Sequence, residues 1–174
     1  MSVELPFSHL YNLNRLGQAG DAVQFAPSDA ERDALARFAG VLRVDSLAAR
    51  VDLKKLSPNR FRLVFSLDAD VVQACVVTLV EVPAHIQLAF DRELHFEPAL
   101  RRTEEDGAVE VPLGDDAPEE IDSLHYDLAA ALIEELVLAL DPYPRAPGVE
   151  FQAPEGEGAA ESPFAVLKGL KSGL

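Results

Sequence analysis

The stretch LAARVDLKKLSPNRFRLVFSL, from Leu47 to Leu67, decides the fold. Leu47, Ala49, Val51 and Leu53 alternate with Ala48, Arg50, Asp52 and Lys54. After KLSPN, Phe61, Leu63, Phe65 and Leu67 alternate with Arg60, Arg62, Val64 and Ser66. Successive strand side chains point to opposite faces, so a period of two buries one face and wets the other. Two such runs joined by a Ser-Pro-Asn turn read as an antiparallel hairpin. Its apolar face carries Val51, Leu53, Phe61 and Leu63, and Arg50, Lys54, Arg60 and Arg62 share the opposite one.

Outward from the hairpin, SDAERDALARFAG reads as a helix. Ser28 and Glu31 form a capping box, Ala34, Leu35 and Phe38 share a face, and Gly40 stops it. ADVVQACVVTLVEV reads as a more continuously apolar, central strand. AHIQLAFDRELHF alternates again but slips phase at Arg92–Glu93, which predicts a bulge or bend. Residues 3–16 suit an edge strand or an arm. Residues 98–123 read as an acidic loop with a short strand at AVEVPL. DLAAALIEELVLALDPYP is the second main helix, with Asp127 as cap, Leu128, Leu132, Leu136 and Leu140 in a stripe, and Pro142 and Pro144 at its end.

These elements predict an α+β fold: an antiparallel, strongly bent or barrel-like sheet, two main flanking helices and a flexible C-terminal tail. Residues 1–145 make the single domain, and 146–161 lose all periodicity and read as a disordered linker. Residues 162–174 read as a short amphipathic helix with Ser162 as cap and Pro163 at its first position. Phe164, Leu167 and Leu170 share a face, with Lys168 and Lys171 beside it, so this segment reads as a tethered docking element for a partner, the alternative being a tail folded onto its own domain or frayed.

The chain of 174 residues holds 30 acids against 15 bases, a formal charge of -15. Such a field repels phosphate at long range and argues against membranes, DNA and sequence-blind RNA binding over the whole surface. One cysteine, no basic-then-apolar start and no long apolar run predict a cytoplasmic protein. Positive charge is concentrated locally. Arg43, Arg50, Lys54, Lys55, Arg60 and Arg62 face only Asp45 and Asp52 within the same stretch. That placement suits phosphates or an acidic partner, and the lack of aromatic residues on that face argues against base stacking.

Other chemistry finds little support. His9, His85, His95 and His125 show no ligand spacing, and a lone cysteine cannot build a structural zinc site, so neither metal nor cofactor is expected. No nucleophile elbow, phosphate loop or zinc-protease motif occurs, and a catalytic role is not expected. Cys75 lies in an apolar run without basic neighbours and reads as an inert buried thiol. Glu134 and Glu135 are adjacent on a helix, diverge, and read as solvated.

Taken in order, the capped helix, the basic hairpin, VVQACVVTLVEVP, the acidic loop, EELVLALDPYP and SPFAVLKGLK resemble the YceD family, the large ribosomal RNA subunit accumulation proteins. The likeness runs from about Pro6 to Lys171. Many members carry C-x-x-C in the central strand. Here Cys75 matches the first cysteine, Thr78 stands at the second, and Leu79 follows, which removes the basis for a metal role. The resemblance implies a non-enzymatic ribosome-assembly factor supporting accumulation or processing of 23S rRNA, with the rRNA precursor as partner. The alternative is an acidic adaptor that shields or delivers a basic large-subunit ribosomal protein.

Overall fold

Arg43–Ser57 and Arg60–Ala74 form two antiparallel strands of 15 residues each, joined at Pro58–Asn59. The computed structural model describes residues 4–98 and 118–150. Along them run β1 (Leu10–Asn12), a 3-10 turn (Leu13–Arg15), β2 (Asp21–Phe25), α1 (Asp29–Ala39), β3 (Arg43–Ser57) and β4 (Arg60–Ala74). These are followed by β5 (Glu81–Phe96), β6 (Glu119–Ile121), β7 (His125–Asp127) and α2 (Leu128–Ala139). The main sheet has the order β2-β3-β4-β5-β6, and β1 pairs with β7 in a separate two-stranded ribbon. AVEVPL and residues 162–174 lie outside the described residues.

The expected burial of one hairpin face is realised. Val51, Leu53, Phe61, Leu63 and Phe65 are at most 1% exposed, and they meet Leu35 and Ala36 of α1 and Leu128, Leu132, Ile133 and Leu136 of α2 in one core. In α1, the Glu31 carboxylate accepts from the Ser28 amide and hydroxyl, both at 2.7 Å. Gly40 ends the helix with φ 69°, where a side chain is disfavoured. The Asp127 carboxylate caps α2 by accepting from Ala129 at 3.0 Å. It also accepts from the His9 amide at 2.8 Å, which ties the N-terminal arm to the helix start.

The barrel-like, wholly antiparallel sheet is not found. β2 and β6 end an open order, and β5–β6 is parallel. Closure needs a staggered register carried around every strand, and a three-residue β6 offers too short an edge to join β2.

Two finer expectations also change. The apolar run predicted as one strand breaks: β4 stops at Ala74, and the Cys75–Thr78 turn leads to Leu79 at φ 62°. The Leu79 amide donates to the Cys75 carbonyl and the Cys75 amide to that of Val80, both within 2.9 Å, which closes the turn without glycine. The bulge expected at Arg92–Glu93 is absent, because β4–β5 keeps one register from Arg60↔His95 to Ala74↔Glu81. Arg92 simply occupies a core-facing position between Phe90 and Leu94.

Candidate functional site: the outer sheet face and the Cys75 turn

The face turned away from the helices is built in cross-strand rows. Starting at the hairpin tip, Arg60 faces His95, and Lys54, Arg62 and Glu93 form the next row. Asp52, Val64 and Asp91 follow, then Gln24, Arg50, Ser66 and Ala89. Beyond these, Ala48, Asp68 and Gln87 precede Ser46, Asp70 and His85. The four bases of this face thus lie between the tip and the Arg50 row, interleaved with Glu93, Asp52 and Asp91, and the far end carries Asp68 and Asp70.

Arg50, Lys54, Arg60 and Arg62 thus share this surface, and the other two bases depart from it. Lys55 lies opposite Phe61, on the other face, with Nζ 5.9 Å from the ring centroid. Arg43 lies at the opposite end of β3, about 35 Å from Lys54 at ~3.3 Å per residue. Its guanidinium binds Glu81 at 2.6 Å and Asp45 at 2.8 Å, and these two carboxylates raise its pKa.

The bases also carry counterions, one from the hairpin itself and two from the neighbouring strand. Arg50 binds Asp52 at 2.6 Å, Arg62 binds Asp91 at 2.9 Å, and Arg60 reaches Glu93 at 3.5 Å. Asp91 and Glu93 come from β5, delivered by its register against β4. Lys54 makes no ion pair among the described residues. All these pairs are about half exposed, where an ion pair contributes about 0–1 kcal/mol, so a competing anion displaces the carboxylate at little cost. At the far end, His85 Nδ1 lies 2.9 Å from Asp70 and Nε2 3.6 Å from Asp68. The Asp70 hydrogen bond and the Asp68 charge raise the His85 pKa, while His85 and Ser46 lower that of Asp70.

The second locus is the turn after β4. Cys75 is fully buried. Hydrogen bonds from the Thr78 hydroxyl and from the Ala146 amide, whose nitrogen lies 3.4 Å from Sγ, bring the thiol down to about 6 against the opposing effect of burial. The reading of Cys75 as an unactivated thiol missed these donors because they are neutral, and Ala146 is distant in sequence. The stretch after α2 is laced to this turn. Gln73 Nε2 donates to the Asp141 carbonyl at 2.9 Å, and the Val76 amide donates to that of Pro144 at 2.9 Å. Among the described residues, no group of three or more His, Cys, Asp or Glu is placed to hold a metal ion.

Residues 63–171, more than half of the chain, match the family model described as large ribosomal RNA subunit accumulation protein YceD. The chain belongs to the YceD family. The match takes in β4 from Leu63 onward, the Cys75–Thr78 turn, β5, α2 and the tail positions Pro163, Phe164, Leu167, Lys168, Leu170 and Lys171, and the last six lie outside the described residues. The YceD name ties its members to accumulation of the large-subunit ribosomal RNA. No curated protein and no solved structure matches the chain. Within this YceD chain, Thr78 serves Cys75 as a hydrogen-bond donor, whereas a second cysteine at that position would place two thiols on one turn. No helix among the described residues is long and apolar enough to cross a membrane.

Proposed function

We propose that this chain is a large-subunit assembly factor that supports 23S rRNA accumulation by binding, without catalysing a reaction, and that the hairpin tip meets the RNA backbone. The observation that carries this reading is the shared face of Lys54, Arg60 and Arg62 beside the Pro58–Asn59 turn. Phosphates approaching there exchange with Asp91 and Glu93 on the arginines and find Lys54 without an ion pair among the described residues. The phenylalanine rings Phe61, Phe65 and Phe90 lie on the opposite face, so recognition is mainly electrostatic and follows the backbone. Asp68 and Asp70 at the far end, with no lysine or arginine in their rows, and the charge of -15 confine contact to the tip by repelling RNA elsewhere.

The adaptor reading draws on that same far end, where Asp68 and Asp70 stand in adjacent rows and suit a basic ribosomal protein. Ultraviolet crosslinking of the full chain in growing cells separates the two. The assembly-factor reading expects 23S precursor fragments joined to peptides of residues 54–62. Recovery of a ribosomal protein joined near residues 68–70, without RNA, would replace it by the adaptor.

A further inference from the structure

A groove of about 520 Å³ opens where the C-terminal ends of α1 and α2 meet the end of β4, lined by Ala39, Gln73, Val76, Val137, Leu138 and Pro144. Its rim is apolar and open to solvent: Leu138 is 73% exposed and Val76 48%, and Leu79 on the adjoining turn is 77% exposed. The polar groups nearby are already satisfied. Gln73 donates to the Asp141 carbonyl, the Val76 amide to that of Pro144, and the Tyr143 amide to the Asp141 carboxylate. The larger share of what remains uncovered is hydrocarbon, with the Asp141 carboxylate at the edge. The complement of such a groove is an apolar stripe flanked by cations.

The chain carries that complement in its last residues. Pro144 and Ala146 are bonded to the Cys75 turn, so the main chain passes the groove just before the described residues end at 150. Residues 151–161 separate that point from Ser162 and span up to about 35 Å when extended, at ~3.3 Å per residue. Beyond them, Phe164, Leu167 and Leu170 recur at a three-residue step with Lys168 and Lys171 alongside. We infer that residues 162–174 dock in this groove of their own chain, with Phe164, Leu167 and Leu170 covering Val76, Val137 and Leu138 and a lysine meeting Asp141. A tether of this length holds the segment near the groove at an effective concentration on the order of millimolar, so a contact too weak to persist between separate molecules is occupied within one.

The inference is independent of RNA binding and is tested without RNA. The full chain carrying Leu138→Cys and Phe164→Cys is oxidised at low micromolar concentration beside a control pair, Leu56→Cys and Phe164→Cys. Leu56 lies at the hairpin tip and is 51% exposed. The buried Cys75 is common to both. The first pair is expected to close an intramolecular disulfide at least about tenfold faster than the control, and Leu167→Asp with Leu170→Asp to bring it to the control rate. Equal rates in the two pairs overturn the inference. So does a product made mainly of disulfide-linked dimers, which assigns the groove to the tail of a second copy.

Discussion

Arg92 and Glu134 join β5 to α2: Nη2 of the arginine donates to the carboxylate at 2.7 Å, and the same nitrogen reaches Glu135 at 3.2 Å. Glu119 adds a third carboxylate at 3.5 Å and accepts from the Tyr126 hydroxyl at 3.1 Å. The arginine side chain is 22% exposed, so its burial disfavours the charge, while Glu134, Tyr126 and Glu135 more than offset this and raise its pKa. Burial and the Glu119 charge push Tyr126 up to about 12. The expected effect of Arg92→Ala is a loss of about 2 kcal/mol in urea unfolding, because three acids keep their places without their cation. Arg92→Met retains the apolar stem and is expected to lose about 1 kcal/mol. Equal stability of all three proteins would show that the network contributes nothing.

Phe65 stacks on Phe90 with ring centroids 4.7 Å apart, at the centre of the buried face. Truncation by Phe65→Ala leaves a cavity and is expected to cost about 4 kcal/mol. Val64 stands one residue away on the outer face, 40% exposed, and Val64→Thr is expected to change stability by less than about 0.5 kcal/mol. Comparable losses at the two positions would contradict the assignment of faces.

Gly20 and Gly40 both have positive φ, 78° and 69°. A Cβ at Gly20 would lie 2.8 Å from the Leu53 carbonyl oxygen, whereas one at Gly40 meets nothing within 4 Å. Gly40→Ala therefore carries only backbone strain, about 1 kcal/mol, and Gly20→Ala carries that strain plus a clash with a strand, about 2–3 kcal/mol. Thermal unfolding of the two variants gives the order directly, and a larger loss at Gly40 would refute the contact.

The Cys75 thiol, held at about 6 by Thr78 and Ala146, titrates below an ordinary thiol near 8.5. A folded value below the unfolded one means that the stability it contributes is complete above about 8.5 and falls away as pH drops through about 6. Thiolate absorbance near 240 nm is expected to show a midpoint close to 6, and Thr78→Val to move it upward. A midpoint indifferent to that substitution would remove Thr78 from this role. Full burial of the sulfur keeps reagents from it, so alkylation of the folded chain is expected to be slow despite the lowered pKa.

His85, raised by Asp70 and Asp68, has the opposite dependence. Its contribution is present below about 6.5, the ordinary histidine value, and is lost as pH rises through its higher folded value. An imidazole NMR titration is expected to place its midpoint above that of His85 in the Asp70→Asn variant. Coincident midpoints would dismiss the Asp70 contact as a cause.

The hairpin was legible because alternation over Leu47–Leu67 admits one register of faces, and α1 because Ser28, Glu31 and Gly40 mark its ends with local chemistry. Arg92 was misread because an inward arginine resembles a phase slip until its partners on α2 are known. The end of β4 was hidden because VVQACVVTLV holds no glycine or proline, and the turn places a leucine at φ 62° instead. The parallel β5–β6 pair is out of reach of local pattern, since three residues carry little period. The counterions Asp91 and Glu93 were in plain view, yet only the β4–β5 register sets them beside Arg62 and Arg60.

The most direct test of the account is the salt dependence of binding between the full chain and a 23S rRNA precursor transcript, for the natural protein and for Lys54→Glu, Arg60→Glu, Arg62→Glu combined. These side chains are on the surface, so the fold is expected to survive, with circular dichroism as the check. The account expects affinity to fall with salt at a slope of roughly one per phosphate contacted, and expects both affinity and slope to collapse in the triple variant. Binding of undiminished affinity and unchanged slope in the triple variant would contradict it.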